Sequence, residues 1–181
     1  MGRVTLREAV EGDAAELGSL HVASWHETYR GILPDELLAG LSADSRAAMW
    51  RKILCGRQAS GSTALFIAED GDGMIGFGCC GEQRDETLGQ AGFSGEISAI
   101  YILRSHQNAG VGRSLMAAMS RALLARGHRS ASLWVLHEND RARAFYEAMG
   151  GMIVGEKVDE RPGATLVEVA YGWRDLTRLG G

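Results

Sequence analysis

A glycine-containing turn near the middle of the chain has the residue types and spacing of an anion site. An apolar segment, 96–102, precedes the turn, which covers residues 107–113 with the letters QNAGVGR. Backbone amides at the start of a helix lack partners within the helix, and the helix dipole places about half a positive charge there, so a phosphate group binds well. The turn alone leaves two interpretations open: a phosphate site, or a connection that uses glycine only for its geometry.

The charge around this turn also favours an anionic ligand. Residues 97–137 contain five arginines and no Asp or Glu, whereas the rest of the chain holds 23 acidic and 14 basic side chains. A segment kept free of carboxylates in a net acidic chain could contact a polyanion. Alternatively, it is a helix with a solvated arginine face.

The letters of the turn exclude two known phosphate-binding motifs. A Walker-type loop requires Lys after its last glycine, but Arg113 follows Gly112. The dinucleotide-binding fingerprint requires a third glycine at the position of Leu115. The sequence also contains neither His-Glu-x-x-His nor Gly-x-Ser-x-Gly, which excludes the metalloprotease and hydrolase motifs of those forms.

Hydrophobic periodicity and turn residues predict the elements that must position this turn. Seven strands are predicted at 4–6, 63–69, 74–82, 96–103, 130–136, 152–157 and 165–173. Helices are predicted at 13–29, 34–41, 42–54, from the glycine turn to 126, and at 139–149. Hairpin turns are predicted at 70–73 and 159–163, and a loop at 84–95. This order indicates an α/β layer arrangement with mixed strand directions.

Composition limits the class of protein. The chain has 181 residues, of which 45% are hydrophobic and 23% charged, and a net charge of -4, so we expect one globular domain over residues 1–181 with no general nucleic-acid surface. It lacks an apolar run of about 18 residues and an apolar signal segment, which predicts a cytoplasmic protein without membrane insertion. Its three cysteines show no Cys-x-x-Cys spacing, so neither a metal site nor a disulfide framework is expected.

Two motifs together resemble the GCN5-related N-acetyltransferase (GNAT) superfamily. The turn is similar to that family's Gln/Arg-x-x-Gly-x-Gly/Ala signature at Gln107, Gly110 and Gly112. The second motif resembles the family's Asn-x-x-Ala-x-x-Phe/Tyr-Tyr-Glu-x-x-Gly run and comprises Asn139, Ala142, Phe145, Tyr146, Glu147 and Gly150. The resemblance implies a central, mostly antiparallel sheet of six to seven strands, flanked by four to five helices, in which a splayed strand pair forms a cofactor cleft.

The resemblance also implies which residues bind acetyl-CoA, the acetyl donor. The main chain of Ile100 and Ile102 would hold the pantetheine arm, and Asn139 would fix a pantetheine amide. The expected pyrophosphate-binding residues are Gln107, Asn108, Ala109, Gly110, Val111, Gly112 and Arg113. Tyr146 would bind the cofactor and protonate or hydrogen-bond the departing thiolate. From spacing alone, Asn139 is also an ordinary helix N-cap and Tyr146 an ordinary core residue.

The general base and the acceptor site are read from family architecture. Glu96 begins the cofactor strand, where several relatives place a glutamate that acts through water, so it is the predicted catalytic base, and a solvated strand-end charge is the alternative. His137 and Glu82 are weaker candidates. Trp25 and Tyr29 are the predicted substrate-binding residues, although their i, i+4 spacing also suits packing on the sheet.

Taken together, the resemblance implies an enzyme that transfers acetyl from acetyl-CoA to a primary amine by direct attack. The acceptor is a small molecule or a peptide, and no metal, nucleic acid or membrane is involved. A non-catalytic acyl-CoA binding module is the alternative function, although the presence of both Asn139 and Tyr146 favours the enzyme. A homodimer is left open.

Overall fold

The computed structural model describes residues 3–60, 63–161 and 164–179. Its strands are β1 (Thr5–Glu8), β2 (Thr63–Asp70), β3 (Gly73–Glu82), β4 (Gly95–Ile102), β5 (Ala131–Leu136), β6 (Met152–Arg161) and β7 (Ala164–Trp173). Its α-helices are α1 (Ala14–Tyr29), α2 (Asp35–Ala39), α3 (Ala43–Ser60), α4 (Glu86–Gln90), α5 (Val111–Ala125) and α6 (Asp140–Ala148). The predicted α/β class is thereby confirmed.

The seven strands form one sheet in the order β1-β2-β3-β4-β5-β7-β6. Every neighbouring pair is antiparallel except β4 and β5, which are parallel and pair at Gly95 with Ala131 and at Glu96 with Ser132. Beyond Glu96, the described residues of these two strands no longer pair, so the strands diverge. The expected splayed pair is confirmed.

A β-bulge in β4 accounts for part of this divergence. Cys79 of β3 lies opposite Ala99 and Cys80 lies opposite Ile97, so Ser98 is the extra residue on β4. A bulge bends its strand and increases the local twist. It therefore turns the end of β4 away from β5, while β5 stays paired with β7 along its length.

Helices cover both faces of the sheet. On one face, α5 and α6 pack on β5 and β7 through a buried cluster that includes Met119, Leu123 and Tyr171. On the other face, α1 and α3 bury Leu17 and Trp50 with residues of β2 and β3. The end of α1 and the start of α6 both lie at the gap where the central strands β4 and β5 separate.

Gly18 allows α1 and α3 to pack in close contact. A Cβ at this position would lie 2.5 Å from the carbonyl oxygen of Ala43 and 2.7 Å from the amide nitrogen of Ala47. Any side chain there would force the helices apart. The orientation of α1, and of the residues at its C-terminal end, depends on this contact.

Several predicted boundaries differ from the structure. A short helix, α4, lies within the predicted loop at 84–95, where the side chain of Asp85 accepts a hydrogen bond from the amide of Leu88 as an N-cap. Helix α3 does not stop at Gly56 but continues to Ser60, because glycine lowers helix propensity without blocking the backbone hydrogen bonds. Strand β6 extends to Arg161, and residues 162–163 of the predicted turn at 159–163 lie outside the described residues.

Candidate active site

A cavity of about 740 Å³ opens where β4 and β5 separate. Its walls come from β4, β5, the turn before α5, the start of α6 and the end of α1. The amide of Leu103 donates to the carbonyl oxygen of Ile75 at 2.9 Å, which directs Leu103 toward β3. Because backbone groups alternate direction along a strand, those of Ile102 and Ile100 face the opposite edge, toward the cavity. Both residues line it.

The turn before α5 presents its amides to this cavity. Asn108 and Gly110 have positive φ values of 61° and 83°, and Gly110 is the N-cap of α5. The amide of Ser114 donates to the carbonyl of Gly110 at 3.1 Å, as the first backbone bond of the helix. Within the part of the chain that the structure describes, the amides of residues 108–113 have no acceptor. Successive free amides in this conformation form an anion-binding concavity.

Gly110 and Gly112 are glycines for two different structural reasons. A Cβ at Gly110 would meet nothing within 4 Å, so this position faces open space. A Cβ at Gly112 would lie 3.0 and 3.2 Å from the ring atoms Cζ and Cε2 of Phe145, and 3.3 Å from Cδ1 of Ile102. Gly112 therefore allows α5 to pack on α6, whereas Gly110 leaves the ligand side of the turn open.

Some of the other predicted residues of the turn line the cavity, and others hold the turn in place. Asn108 and Arg113 line the cavity and are exposed. Ala109 is exposed, whereas the side chain of Val111 is buried beneath β4 and only its backbone faces outward. The side chain of Gln107 donates from Nε2 to the carbonyl oxygen of Ile102 at 2.9 Å, which holds the turn against the end of β4.

Asn139 and Tyr146 both reach the cavity from α6. Asn139 is the N-cap of the helix, and its Oδ1 accepts a hydrogen bond from the amide of Ala142 at 3.3 Å. Tyr146 is 6% exposed and packs against the rings of Tyr171 and Trp173. Both residues line the cavity, so each combines the structural role that its spacing predicts with access to a ligand.

Burial raises the pKa of Tyr146 above its ordinary value, and the nearby Tyr29 adds to this shift. The phenol therefore remains neutral at physiological pH. A neutral phenol donates a hydrogen bond to an anion in the cavity but does not act as a base.

Glu96 lines a smaller cavity of about 220 Å³, together with residues of β3. Its Oε2 accepts from the amide and Nε of Arg84 at 3.1 and 3.0 Å, and its Oε1 accepts from Nη2 at 2.6 Å. Glu96 is absent from the described lining of the large cavity. Ser98, the bulged residue, lines both cavities and is the link between them.

The predicted acceptor residues Trp25 and Tyr29 lie at the end of α1. Tyr29 lines the cavity, and its hydroxyl is 3.0 Å from the hydroxyl of Tyr101 on β4. Trp25 packs edge-on to Tyr29, with ring centroids 5.0 Å apart, and is not among the described lining residues. Trp25 therefore supports Tyr29 rather than forming the wall itself.

Sequence reasoning missed some residues of the site. Tyr101 and Trp134 line the cavity but belong to strands that read only as apolar segments. Glu147, part of the second motif, accepts a hydrogen bond from the hydroxyl of Tyr171 at 2.6 Å, so it fixes α6 to β7.

Fold and cavity together define a class: an open α/β sheet whose two central parallel strands part to expose a strand edge and an anion-binding turn. Residues 22–151 match the model of the acetyltransferase (GNAT) family. The chain is 36% identical over 177 residues to an uncharacterized N-acetyltransferase of Bacillus subtilis, YuaI, covering 97% of this chain and 96% of the relative. The chain therefore belongs to the GNAT acetyltransferase family and is an acetyltransferase.

Solved structures show the same fold. The PaiA N-acetyltransferase of Thermoplasma acidophilum, in complex with coenzyme A, superposes with a TM-score of 0.71 at 17% identity, over 92% of this chain and 98% of that one. YncA of Salmonella typhimurium, solved with its cofactor acetyl-CoA, superposes with a TM-score of 0.69 at 18% identity, over 96% of this chain and 94% of that one. The sheet with its divergent strand pair is thus the fold of these enzymes.

The described residues contain neither a membrane-spanning helix nor a cluster of metal ligands. Among the helices of the described ranges, none combines the length and apolarity needed to cross a membrane. Within residues 3–60, 63–161 and 164–179, no group of three or more His, Cys, Asp or Glu side chains is arranged to hold a metal ion.

Proposed function

We propose that the chain binds acetyl-CoA in the cavity between β4 and β5 and transfers its acetyl group to a primary amine of a small molecule or peptide. The main support for the proposal is that the end of β4 does not pair with β5, and that the amides of residues 108–113 have no acceptor among the described residues. A ligand with an amide-containing arm and a diphosphate matches both surfaces. Localisation in the cytoplasm and assembly as a homodimer remain predictions.

The residues of the turn fit a diphosphate. The space beside Gly110 is open, the amides carry the partial positive charge of the α5 N-terminus, and Arg113 adds a full charge. The backbone groups of Ile100 and Ile102 would hold the pantetheine amides as an added strand would, and Asn139 lies across the cavity from them. Ala109 and Val111 contribute backbone only.

Bound acetyl-CoA supplies a thioester whose carbonyl carbon is the electrophile. The amide of Ile102, which lines the cavity, would donate to the carbonyl oxygen as negative charge develops on it. The Tyr146 phenol faces the same cavity and donates to the departing sulfur. Because a thiol has a pKa of about 8.5 and burial raises the pKa of Tyr146 above about 10, a hydrogen bond is favoured over complete proton transfer.

The acceptor must lose a proton before it attacks. Neutralising an ammonium group with a pKa of about 10.4 at pH 7 costs about 4 to 5 kcal/mol, so a base is needed. Glu96 remains the proposed base and acts through water past Ser98, since its carboxylate faces the smaller cavity and Ser98 lines both. The acceptor itself would enter beside Tyr29, with Trp25 behind it.

The test is an acceptor panel in which release of free coenzyme A thiol is followed for small amines, amino acids and peptides. Calorimetric binding of coenzyme A in the absence of acceptor separates cofactor binding from catalysis. Thiol release that depends on a primary amine, together with the acetylated product by mass spectrometry, supports the proposal. Cofactor binding without transfer to any amine contradicts it.

A further inference from the structure

One of the two lysines of the chain, Lys157, packs on a residue that lines the cavity. The Nζ atom of Lys157 is 4.1 Å from the ring centroid of Trp134 and 3.2 Å from Oε2 of Glu168. Trp134 lines the cavity, and its indole nitrogen donates to Oδ2 of Asp85 at 3.0 Å, so the ring has a fixed position. Lys157 itself is not among the described residues of the cavity wall, and neither is the other lysine, Lys52, which is exposed on α3.

The sheet register places this ammonium on the face from which the acceptor enters. Glu168 lies directly opposite Leu136 on β5, and Lys157 lies directly opposite Glu168. Trp134 is two residues from Leu136, so all four side chains share one face of the sheet.

A second observation independently connects the pair to the cavity. Burial raises the pKa of Tyr29, and although the hydrogen bond with Tyr101 opposes that shift, the negative charge of Glu168 adds to it. Glu168 is therefore near the phenol that forms the acceptor end. Through Lys157 the ion pair contacts Trp134, and through Glu168 it acts electrostatically on Tyr29, and both of these aromatic residues line the cavity.

We propose that Lys157 is a self-acetylation site, modified within the same molecule by the acetyl-CoA bound in the cavity; this inference rests on the proposed function. The ammonium first gives one proton to the Glu168 carboxylate. The neutral Nζ then attacks the thioester carbonyl carbon, the new C–N bond forms, and the C–S bond breaks. The second nitrogen proton passes to the sulfur, and Glu168 releases the first proton to solvent, so the products are Nε-acetyl-lysine, the free thiol of coenzyme A and an ionised Glu168.

The Lys157 side chain has the freedom that this reaction needs. It is 42% exposed, whereas Trp134 is fixed by Asp85, so the flexible lysine stem moves over a fixed ring. Acetylation removes the positive charge from Glu168. The acceptor end then becomes more negative by one unit, which favours cationic acceptors after modification.

The test is a time course in which the purified full-length chain is incubated with isotopically labelled acetyl-CoA and no acceptor. Proteolysis and mass spectrometry then measure labelling of Lys157 and Lys52. We expect Lys157 to be labelled at least about tenfold faster, because it is held near the thioester. We also expect the labelled fraction at a given time to be independent of protein concentration. Equal labelling of the two lysines, or a rate proportional to protein concentration, would overturn the proposal.

Variants separate enzymatic labelling from spontaneous chemistry. Gly110→Glu and, as a milder change, Tyr146→Phe should each slow labelling of Lys157 and leave that of Lys52 unchanged. Glu168→Gln should slow labelling of Lys157 at neutral pH, with recovery at higher pH where the amine is neutral without help. Labelling of Lys157 that is insensitive to all three changes contradicts the proposal.

The two proposals fail in different ways. If the chain does not bind coenzyme A, or transfers acetyl to no added amine and to no residue of its own, the proposed function is wrong. If it binds coenzyme A and acetylates an added amine while Lys157 remains unlabelled, only self-acetylation is wrong.

Discussion

Arg84 donates three hydrogen bonds to the carboxylate of Glu96, at 2.6 to 3.1 Å, and both residues line the smaller cavity. A base in this position can act on an amine only through water. The bulge at Ser98 is the place where β4 connects the two cavities. The position of Glu96 therefore predicts how the rate of a Glu96 variant should depend on pH.

Glu96→Gln should lower kcat by about 100-fold at neutral pH, since the variant cannot accept the ammonium proton. The rate should recover as the pH approaches the pKa of the acceptor amine, because the amine then arrives neutral. The measurement is a pH profile of kcat for both proteins with one acceptor. Parallel profiles would show that the base is another residue, and Arg84→Gln serves as the control for loss of the ion pair alone.

Gly110→Glu should weaken coenzyme A binding by at least about 100-fold, because a carboxylate would lie where the diphosphate binds. Gly110→Asn is the matched control, since asparagine tolerates positive φ and adds no charge. Calorimetry with coenzyme A measures both variants. Wild-type affinity in Gly110→Glu would refute the anion-binding role of the turn.

Tyr146→Phe should lower kcat by about tenfold to 100-fold and leave coenzyme A affinity unchanged, since only the hydroxyl that donates to the sulfur is removed. The ring contacts with Tyr171 and Trp173 remain, so thermal unfolding should change little. Stopped-flow or steady-state thiol release measures the rate. If kcat equals that of the wild type with a good acceptor, Tyr146 is a core residue only.

Tyr29→Phe should raise the acceptor KM about threefold to tenfold, the effect of one lost hydrogen bond, while the KM for acetyl-CoA stays the same. Tyr101→Phe is the companion variant, because its hydroxyl is the 3.0 Å partner of Tyr29. Steady-state kinetics with each substrate varied in turn measures the split. A change confined to acetyl-CoA would place Tyr29 at the wrong end of the cavity.

Stability should fall at acidic pH because of His21. Burial lowers its pKa to about 4, with Arg46 adding to the effect, and its Nδ1 accepts from Nε1 of Trp50 at 3.2 Å. In the unfolded chain His21 binds a proton near pH 6.5, and in the folded chain only near pH 4. The free energy of unfolding therefore keeps its full value above pH 6.5 and decreases as the pH falls to 4. The loss amounts to about 3 kcal/mol.

Denaturant unfolding at a series of pH values measures this dependence. His21→Asn is the control, since its side-chain oxygen can still accept from Trp50 but does not titrate. The variant should show a flatter dependence between pH 6.5 and 4. An equal slope in both proteins would assign the acid sensitivity to other groups.

Local sequence patterns determined the strand, turn and helix around Gly110 and the helix that begins at Asn139. Positive φ, helix capping and apolar periodicity are properties of a few neighbouring residues, so they can be read without the fold. The same patterns, joined by the family resemblance, predicted the seven strands and the splayed pair. Boundaries such as the end of α3 were less accurate, because a glycine such as Gly56 lowers helix propensity without ending the helix.

Only the tertiary structure decided which face each side chain occupies. The bulge at Ser98 changes the β3–β4 register, and Glu96 lines the smaller cavity. Gly112 is required because the ring of Phe145, on another helix, leaves no room for a side chain. The neighbours of Lys157 likewise follow from the pairing of β6 with β7 and of β7 with β5. Such contacts join residues far apart in the chain. A one-residue change of register would move each side chain of the strand to the other face of the sheet, so no local pattern encodes these contacts.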